Sequence, residues 1–465
     1  MPWRESMEPV RMHRVAVVAP GESLRDVLVE VACLGVSELE SASDADVGEA
    51  ARLLAQSPHA DDLTPALQRG AADPAAWARA GRTDLLAGEA QVEARASAGV
   101  ARDRVVAMLG WAPAAEVAAI ADAVAAYGGA VVTLPTPRGI DPPTLVHADS
   151  GLNRSLAPLV DTYATVPYAD VDPTVLAGLA FMVMFGMMFA DAGQGAVLLA
   201  GGLLLRAGRL PRLAGVRRIW PFVVGSAVAA IFFGVLFGEF FGPTGVIPTV
   251  WIKPLEEPIL LLEVAVGVGA ILLAGAYVLG IVNRWREGGW RTALVATSGV
   301  AGAALFLGVG LLGLGAYTGA SWLVAIGVAV AVGGLVLAYV GLLAASGGGA
   351  AGATEAGVEL FDGVIRLGTN VVSFARLAAF GLAHAALLAM VWQGTTALWA
   401  AGGLLILAAV LVFVVGNVLT FVLEGVVAGV QALRLEYYEL FSRVFVSEGR
   451  AFQPWSIPCA TERVL

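Results

Sequence analysis

The stretch NVVSFARLAAFGLAHAALLAMVW, residues 370–392, holds 23 residues of which only Arg376 and His384 are ionisable. A crossing of the roughly 30 Å hydrocarbon core needs about 20 largely apolar residues, so this length and composition predict a transmembrane helix. An arginine at the centre of a span costs about 2.5 to 3.5 kcal/mol on insertion scales, and one that is retained faces protein, water or a partner charge. Working outward, the expected span runs from 360 to 393. At about 100° per residue an unbroken helix places Asp362, Ser373, Arg376 and His384 within an arc of roughly 80°, over a rise of about 33 Å. In the following segment, expected to span 396 to 445, Glu424, Gln431 and Arg434 share a similar arc of about 80°.

The rest of the chain fits this membrane class. It has 465 residues, is 58% hydrophobic and 14% charged, and has a mean hydropathy of +0.78, outside the range of ordinary soluble chains. Charge is uneven: residues 1–173 carry 13 arginines against 24 carboxylates, whereas 174–465 carry 15 basic against 14 acidic groups. Further spans are expected near 219–238, 259–283, 291–315 and 319–345. Residues 174–207 exceed one span and are interrupted by Asp191-Ala-Gly-Gln-Gly195. The segment 206–218 holds Arg206, Arg209, Arg212, Arg217 and Arg218, and the segment 283–291 holds Arg284, Arg286 and Arg291. Both face the cytoplasm by the positive-inside rule. With no apolar leader before residue 14, the front part is expected in the cytoplasm as well. Segment 174–207 then crosses an even number of times, as a hairpin turning near Asp191. The expectation is a mainly α, polytopic protein of about eight spans in the inner membrane, both termini cytoplasmic.

Before the spans, residues 14–18, 35–39, 105–111 and 130–134 read as strands, with helices over 21–33 and 113–127. Two β-α-β units in one small α/β lobe follow, with short polar helices between 41 and 100 and an extended linker over 135–173. No phosphate-cradling glycine pattern is present; neither nucleotide binding in the lobe nor a nucleic-acid partner or cofactor is expected. Cys33 and Cys459 fall one in each part of the chain, so no disulfide framework or thiolate metal site is expected.

No Ser/His/Asp, HExxH or Cys/His constellation accompanies the buried polar residues, and covalent catalysis is not indicated. The two polar stripes offer groups that attract, hand over or repel a proton, and each arginine keeps its charge at any relevant pH. Plain packing roles compete with this: Arg376 and Asp362 as charges neutralised in a bundle, Arg434 as an interfacial arginine, His384 as a satisfied core histidine, Asp191 as a turn residue, and Glu239 as an interfacial carboxylate.

Four motifs, FGMMFADAGQG (185–195), FGVLFGEFFG (233–242), ELFDGVIRLGTNVVSFARLAAFGLAHAAL (359–387) and LEGVVAGVQALRLEYYELFSRVF (423–445), resemble the membrane domain of the stator subunit of rotary V/A-type ATPases, called a in eukaryotes and I in prokaryotes. The front segments HRVAVVAPGESLRDVLVEVACLGVSELE (13–40) and MLGWAPAAEVAAIADAVAAYGGAVVTL (108–134) resemble parts of the family's soluble domain. The resemblance implies that Arg376 and Arg434 face the carboxylate of a proteolipid rotor ring. It further implies that Glu424, Gln431 and His384 line half-channels, and that Asp362 fills an acidic position beside them. Implied partners are that ring and the central-stalk and peripheral-stalk subunits. The family's front domain is normally much longer, with a helical arm that grips the peripheral stalks; residues 41–100 stand in its place here. Two rival readings remain at this point: a self-contained secondary transporter using Arg376 and Asp362, although residues 174–283 and 291–445 show no similarity to one another, and a non-transporting anchor or assembly factor.

Overall fold

The computed structural model describes residues 9–40, 48–57, 64–137, 140–145, 151–209, 211–444 and 449–459. The chain divides into two compact units, one of residues 9–146 together with 449–465, the other of residues 147–448.

The first unit is built on strand β1 (Met12–Pro20), in which Val15, Val17 and Ala19 alternate onto one buried face, the period-2 signature of a half-covered strand. Helix α1 (Leu24–Leu34) turns Val27, Leu28, Val31 and Ala32 onto that face and ends at Gly35, whose φ of 62° closes the helix in the left-handed region. Strand β2 (Glu38–Leu39) follows. Three helices occupy the segment expected to be polar and helical: α2 (Glu49–Ala55), α3 (Pro74–Arg79) and α4 (Thr83–Ser97). Strands β3 (Val100–Arg102) and β4 (Val105–Pro113), helix α5 (Val117–Ala125) and strand β5 (Ala130–Leu134) complete the lobe. The order β2-β4-β1-β5 is antiparallel at every neighbouring pair, with β3 on β4. Each expected β-α-β unit is therefore split, the strand of one lying between the two strands of the other.

Two expectations about the ends of this lobe are corrected. Residues 135–173 are not wholly extended, since helix α6 (Gly151–Asp161) forms within them. The segment after residue 448 folds with the front lobe: Trp455 and Ile457 are buried in its core. That return brings Cys33 and Cys459 together as a disulfide, Cα–Cα 5.6 Å, across 426 residues. The reading that separated the two cysteines failed because it assigned the tail to the membrane part.

Among the described residues of the second unit, six helices have the length and apolarity to cross a membrane, beginning at Gly215, Pro258, Val300, Ser321, Ala375 and Leu405. Two shorter apolar helices precede them, α7 (Thr174–Met188) and α8 (Ala192–Arg206), of 15 residues each. At 1.5 Å per residue each is about 22 Å long, less than a full bilayer core. They form the expected hairpin, and its turn is at Asp191. Helix α9 (Trp220–Phe237) packs against both. Gly234 makes this possible: a Cβ there would stand 2.3 Å from the Ala192 nitrogen and 2.6 Å from the Asp191 carbonyl carbon.

Helix α10 (Pro258–Val295) carries the arginine-rich segment on its own end, with a non-helical break at Gly289 (φ 75°), so the following span starts later than expected, as α11 (Val300–Thr318). Helix α12 (Ser321–Ala345) returns beside it. The expected span 360–393 is two helices. Helix α13 (Gly349–Ser373) ends at Phe374, and α14 (Ala375–Ala401) begins after it. The interruption is one residue wide, since Phe374 keeps right-handed helical angles (φ −70°, ψ −15°), and its ring is fully buried against α10, where a Cβ on Gly269 would lie 2.2 Å from it. The last long helix, α15 (Leu405–Leu435), runs into a π-helical turn over Glu436–Phe441 and a final turn, α16 (Ser442–Val444).

Candidate functional site

Three polar pairs join α15 to its neighbours at heptad intervals. Asn417 Oδ1 accepts a hydrogen bond from Gln194 Nε2 of α8 at 3.3 Å. One heptad on, Glu424 Oε2 is bonded to His384 Nδ1 of α14. After a second heptad, Gln431 Oε1 accepts from Arg376 Nη1 of α14 at 3.4 Å. Seven residues return to nearly the same face of a helix and advance it about 10.5 Å, so the pairs stack as rungs. With Thr420, buried at 6%, and Arg434, they occupy an arc of about 100° over a rise of about 26 Å.

Arg376 sits in the first turn of α14, directly after the Phe374 break, rather than midway along one long helix. Its Nη2 donates to Ser373 Oγ at 3.2 Å, the i,i+3 contact that helical spacing predicts. Arg434 and Glu439 act on Arg376 electrostatically, and Glu439 also interacts with Ser373. Arg376 and Ser373 line an open cleft of about 810 Å³ with Thr369 and Val372 of α13. Arg434 is exposed at the end of α15.

His384 is 1% exposed, held between Glu424 and the ring of Phe189, whose centroid lies 4.9 Å from its own. Glu424 borders a cavity of about 130 Å³ with Met188, Phe380 and Leu423, space for about four water molecules at roughly 30 Å³ each. Asp362 is not brought into this group. It is more than half exposed on α13 and pairs with Arg366 one turn on, at 2.7 Å. The Asp362 end of the expected stripe stands apart from the Arg376 group.

Beyond the Gln194–Asn417 rung lies a buried acidic turn. Asp191 is fully buried; its Oδ1 accepts from the backbone nitrogens of Gln194 (2.7 Å) and Phe241 (3.0 Å), and its Oδ2 from that of Gly242 (2.8 Å). It caps α8 and ties the loop after α9 to the hairpin, a larger role than a simple turn residue. Glu239 beside it is 5% exposed, and its carboxyl is raised to about 7 by burial and then by the charge of Asp191. Gln194 Oε1 and Glu239 Oε2 are buried with no hydrogen-bond partner among the described residues. The Asn417 rung is absent from the two sequence stripes, although Asn417 lies one heptad before Glu424 and extending the stripe upstream reaches it. Glu439 went unnoticed because it is one turn past Arg434, in a segment that reads as leaving the membrane.

Chemically the arrangement offers two fixed cations, Arg376 and Arg434, a carboxylate–imidazole pair one rung away, and amide and acid groups beyond it. Groups of these kinds can accept, donate or repel a proton, and among the described residues of the series no nucleophile is paired with a base.

Residues 98–245 match the family described as the V-type ATPase 116kDa subunit family. Over 365 residues the chain is 26% identical to the A-type ATP synthase subunit I of Pyrococcus horikoshii, covering 75% of this chain and 53% of that protein. Over 388 residues it is 28% identical to the subunit I of Halobacterium salinarum, covering 68% and 52%, and over 337 residues 27% identical to that of Methanocaldococcus jannaschii, covering 64% and 46%. The chain spans about half the length of the curated relatives it matches. Motifs, family match and relatives point the same way: this is a multi-pass membrane protein similar to subunit I of the A-type ATP synthases, with residues 98–245 matching the V-type ATPase 116kDa subunit family.

Proposed function

We propose that the chain is the ion-translocating, non-catalytic stator subunit of a rotary ATPase, carrying protons between two half-paths that meet at a ring of proteolipid subunits. The observation that carries this reading is the heptad ladder ending at Arg376. A guanidinium held by Gln431 and Ser373 at the end of a polar series is placed to favour the ionised form of any carboxylate that reaches it. Arg434, exposed at the end of α15, supplies a second fixed charge facing outward. A ring carboxylate arriving in front of this pair gives up its proton to one half-path, and the cations block direct passage between the two. Glu424, His384 and the rung at Asn417 belong to the half-path on the side of the hairpin turn; Ser373 and Glu439 belong to the other. Asp362, paired with Arg366 on the neighbouring helix, is assigned to the entrance of the cleft on the Arg376 side. We place the front lobe and the tail in the cytoplasm, on the same side as the arginine-rich ends of α8 and α10.

The partners under this reading are the proteolipid ring, the central and peripheral stalks and the lipid bilayer. One alternative is an assembly factor that binds the ring without conducting, favoured by the short segment 41–100 where the family has a long arm. Reconstitution separates the two. Arg376→Ala and Arg376→Lys should assemble normally with the copurified subunits yet lose nearly all proton flux in vesicles, since lysine lacks the delocalised fork and loses its charge on burial. Arg434→Lys should be milder. Near-normal flux in assembled Arg376→Ala removes the reading, and absence of flux in the unaltered, fully assembled complex favours the assembly factor.

A further inference from the structure

The soluble lobe is closed by a segment that follows the last span. Residues 449–459 lie along α1, β2 and α4 rather than trailing into solvent. Trp455 N donates to Ser37 O at 2.8 Å, Ile457 N to Ala32 O at 3.2 Å, and Leu67 N to Pro458 O at 3.0 Å. Trp455 is 5% exposed, its indole nitrogen donates to Gln91 Oε1 at 3.1 Å, and the guanidinium of Arg95 covers its ring at 4.2 Å. Glu38 accepts from the Gln453 nitrogen at 2.9 Å and pairs with Arg450. These non-covalent contacts accompany the bridge that joins Cys459 to Cys33 at the last turn of α1.

We propose that Cys33 and Cys459 form a reversible redox latch, a dithiol in the resting cell that low-molecular-weight disulfides convert to the closed form. Three observations point there. Their Cα separation of 5.6 Å is the spacing at which a bridge closes without moving the backbone. Both side chains are half-buried at the edge of the lobe core, so a small reagent reaches them. The lobe is placed in the cytoplasm, where glutathione keeps structural pairs reduced and the bridges that do form are transient or sensing ones. The inference rests on that placement of the lobe and not on ion translocation.

The chemistry is thiol–disulfide exchange. The thiolate of one cysteine attacks a sulfur of the small disulfide, forming a mixed disulfide and expelling one thiolate. The thiolate of the second cysteine then attacks the protein sulfur of that mixed disulfide, forming the Cys33–Cys459 bond and expelling the other. Two protein thiols are oxidised, one small disulfide is reduced to two thiols, and the two protons lost by the cysteines end on them. The product encloses 426 residues, every span included, in one covalent loop. Docking of the tail changes from an equilibrium to a fixed state.

The test uses the full chain in its native membranes. Cells are quenched directly in acid to freeze the thiol state, before and after exposure to a thiol oxidant, and the denatured chain is labelled with a maleimide polymer and its thiols counted by the gel shift; isolated membranes are then titrated with glutathione and glutathione disulfide. We expect two labelled thiols per chain in resting cells and none after oxidation without change of oligomeric mass. Labelling should return on reduction. Hydrogen exchange at the Trp455 and Ile457 amides should be at least about tenfold slower in the oxidised chain, because release of the tail is the opening event. Cys459→Ser should abolish that slowing. Trp455→Ala, which keeps both thiols but loosens the tail, should lower the yield of intrachain bond severalfold. A bond already complete in resting cells and resistant to native-state reductant overturns the latch, as do bonds formed only between chains, or equal bond yield in Trp455→Ala.

Discussion

Replacing Asp191 separates an anchoring role from a proton-carrying one. The carboxylate accepts three backbone N–H groups, two on Oδ1 and one on Oδ2, and is fully buried. In Asp191→Asn the amide oxygen keeps the bonds from Gln194 and Phe241, while its NH2 turns a second donor toward Gly242 N; one orphaned donor costs about 1–3 kcal/mol. Asp191→Ala orphans all three, about 3–9 kcal/mol on the same scale, a large share of the 5–15 kcal/mol typical of a folded domain. The order should therefore be wild type, then Asn, then Ala, with Ala close to loss of the hairpin–loop junction. Thermal melting of the detergent-solubilised chain reads the order, and proton flux in vesicles, normalised to assembled complex, reads function. An anchoring carboxylate predicts that Asp191→Asn retains substantial flux once assembled. Melting of Asp191→Ala within about 0.5 kcal/mol of wild type refutes the anchoring account, and full loss of flux in a stable Asp191→Asn shows that the group itself must titrate.

Under the proposed function, His384→Ala and Glu424→Ala at the middle rung should each lower flux only in part, because the cavity beside Glu424 leaves room for water. Since the two side chains are bonded, the double variant should lose less than the product of the singles, a coupling of about 0.5–3 kcal/mol in a double-mutant cycle. Glu239→Gln tests the raised carboxyl: with the folded value near 7 against an ordinary 4.5, its contribution to stability is full below about 4.5 and is lost as pH rises through about 7. The glutamine variant should therefore match wild type near pH 4 and be more stable at pH 8, by up to about 3 kcal/mol in pH-dependent melting; a variant that tracks wild type at both ends shows the carboxyl to be unperturbed. Phe374→Ala should cost about 3–5 kcal/mol by emptying the seat at Gly269, and should reduce flux by releasing Arg376; unchanged melting would mean that the helix break is set elsewhere.

What was legible from the sequence followed locality. Hydropathy and arginine placement find the spans, and the polar interruption at Asp191 finds the hairpin, because each depends on residues adjacent in the chain. The break at Phe374 was not legible. The run VVSFARL contains neither proline nor glycine, and the ring turns in because Gly269, more than a hundred residues earlier, leaves room for it. That interruption puts Arg376 in the first turn of α14 rather than midway along one helix. The Gln194–Asn417 rung needed a partner helix to be recognised, since a lone asparagine in an apolar run has no stripe of its own until Thr420 and Glu424 are counted with it. The return of Trp455 and Ile457 to the lobe was hidden for another reason: eleven residues of mixed polarity carry no periodicity, and their place is fixed by a core formed hundreds of residues upstream.

The two sides of α15 differ in what they require of a partner. One side is satisfied within the chain by Gln194, His384 and Arg376. The other presents Leu419, Val422, Leu423, Val426 and Val430, all more than half exposed, with exposed Arg434 following on the same helix. Lipid tails satisfy the valines and leucines but give a guanidinium no counter-charge, and a second membrane helix of apolar residues would leave the same cost of about 2.5 to 3.5 kcal/mol unmet. A helix surface that is apolar around one carboxyl group meets both demands: it packs on the aliphatic residues and brings a carboxylate to Arg434 and Arg376. The pairing must also break easily, since a permanent bidentate ion pair would hold the partner in place. The bonds of Arg376 to Gln431 and Ser373 act in that direction, because they occupy part of its donor fork before any carboxylate arrives. A neighbour that passes by, rather than one that stays, is the partner this surface suits under the proposed function.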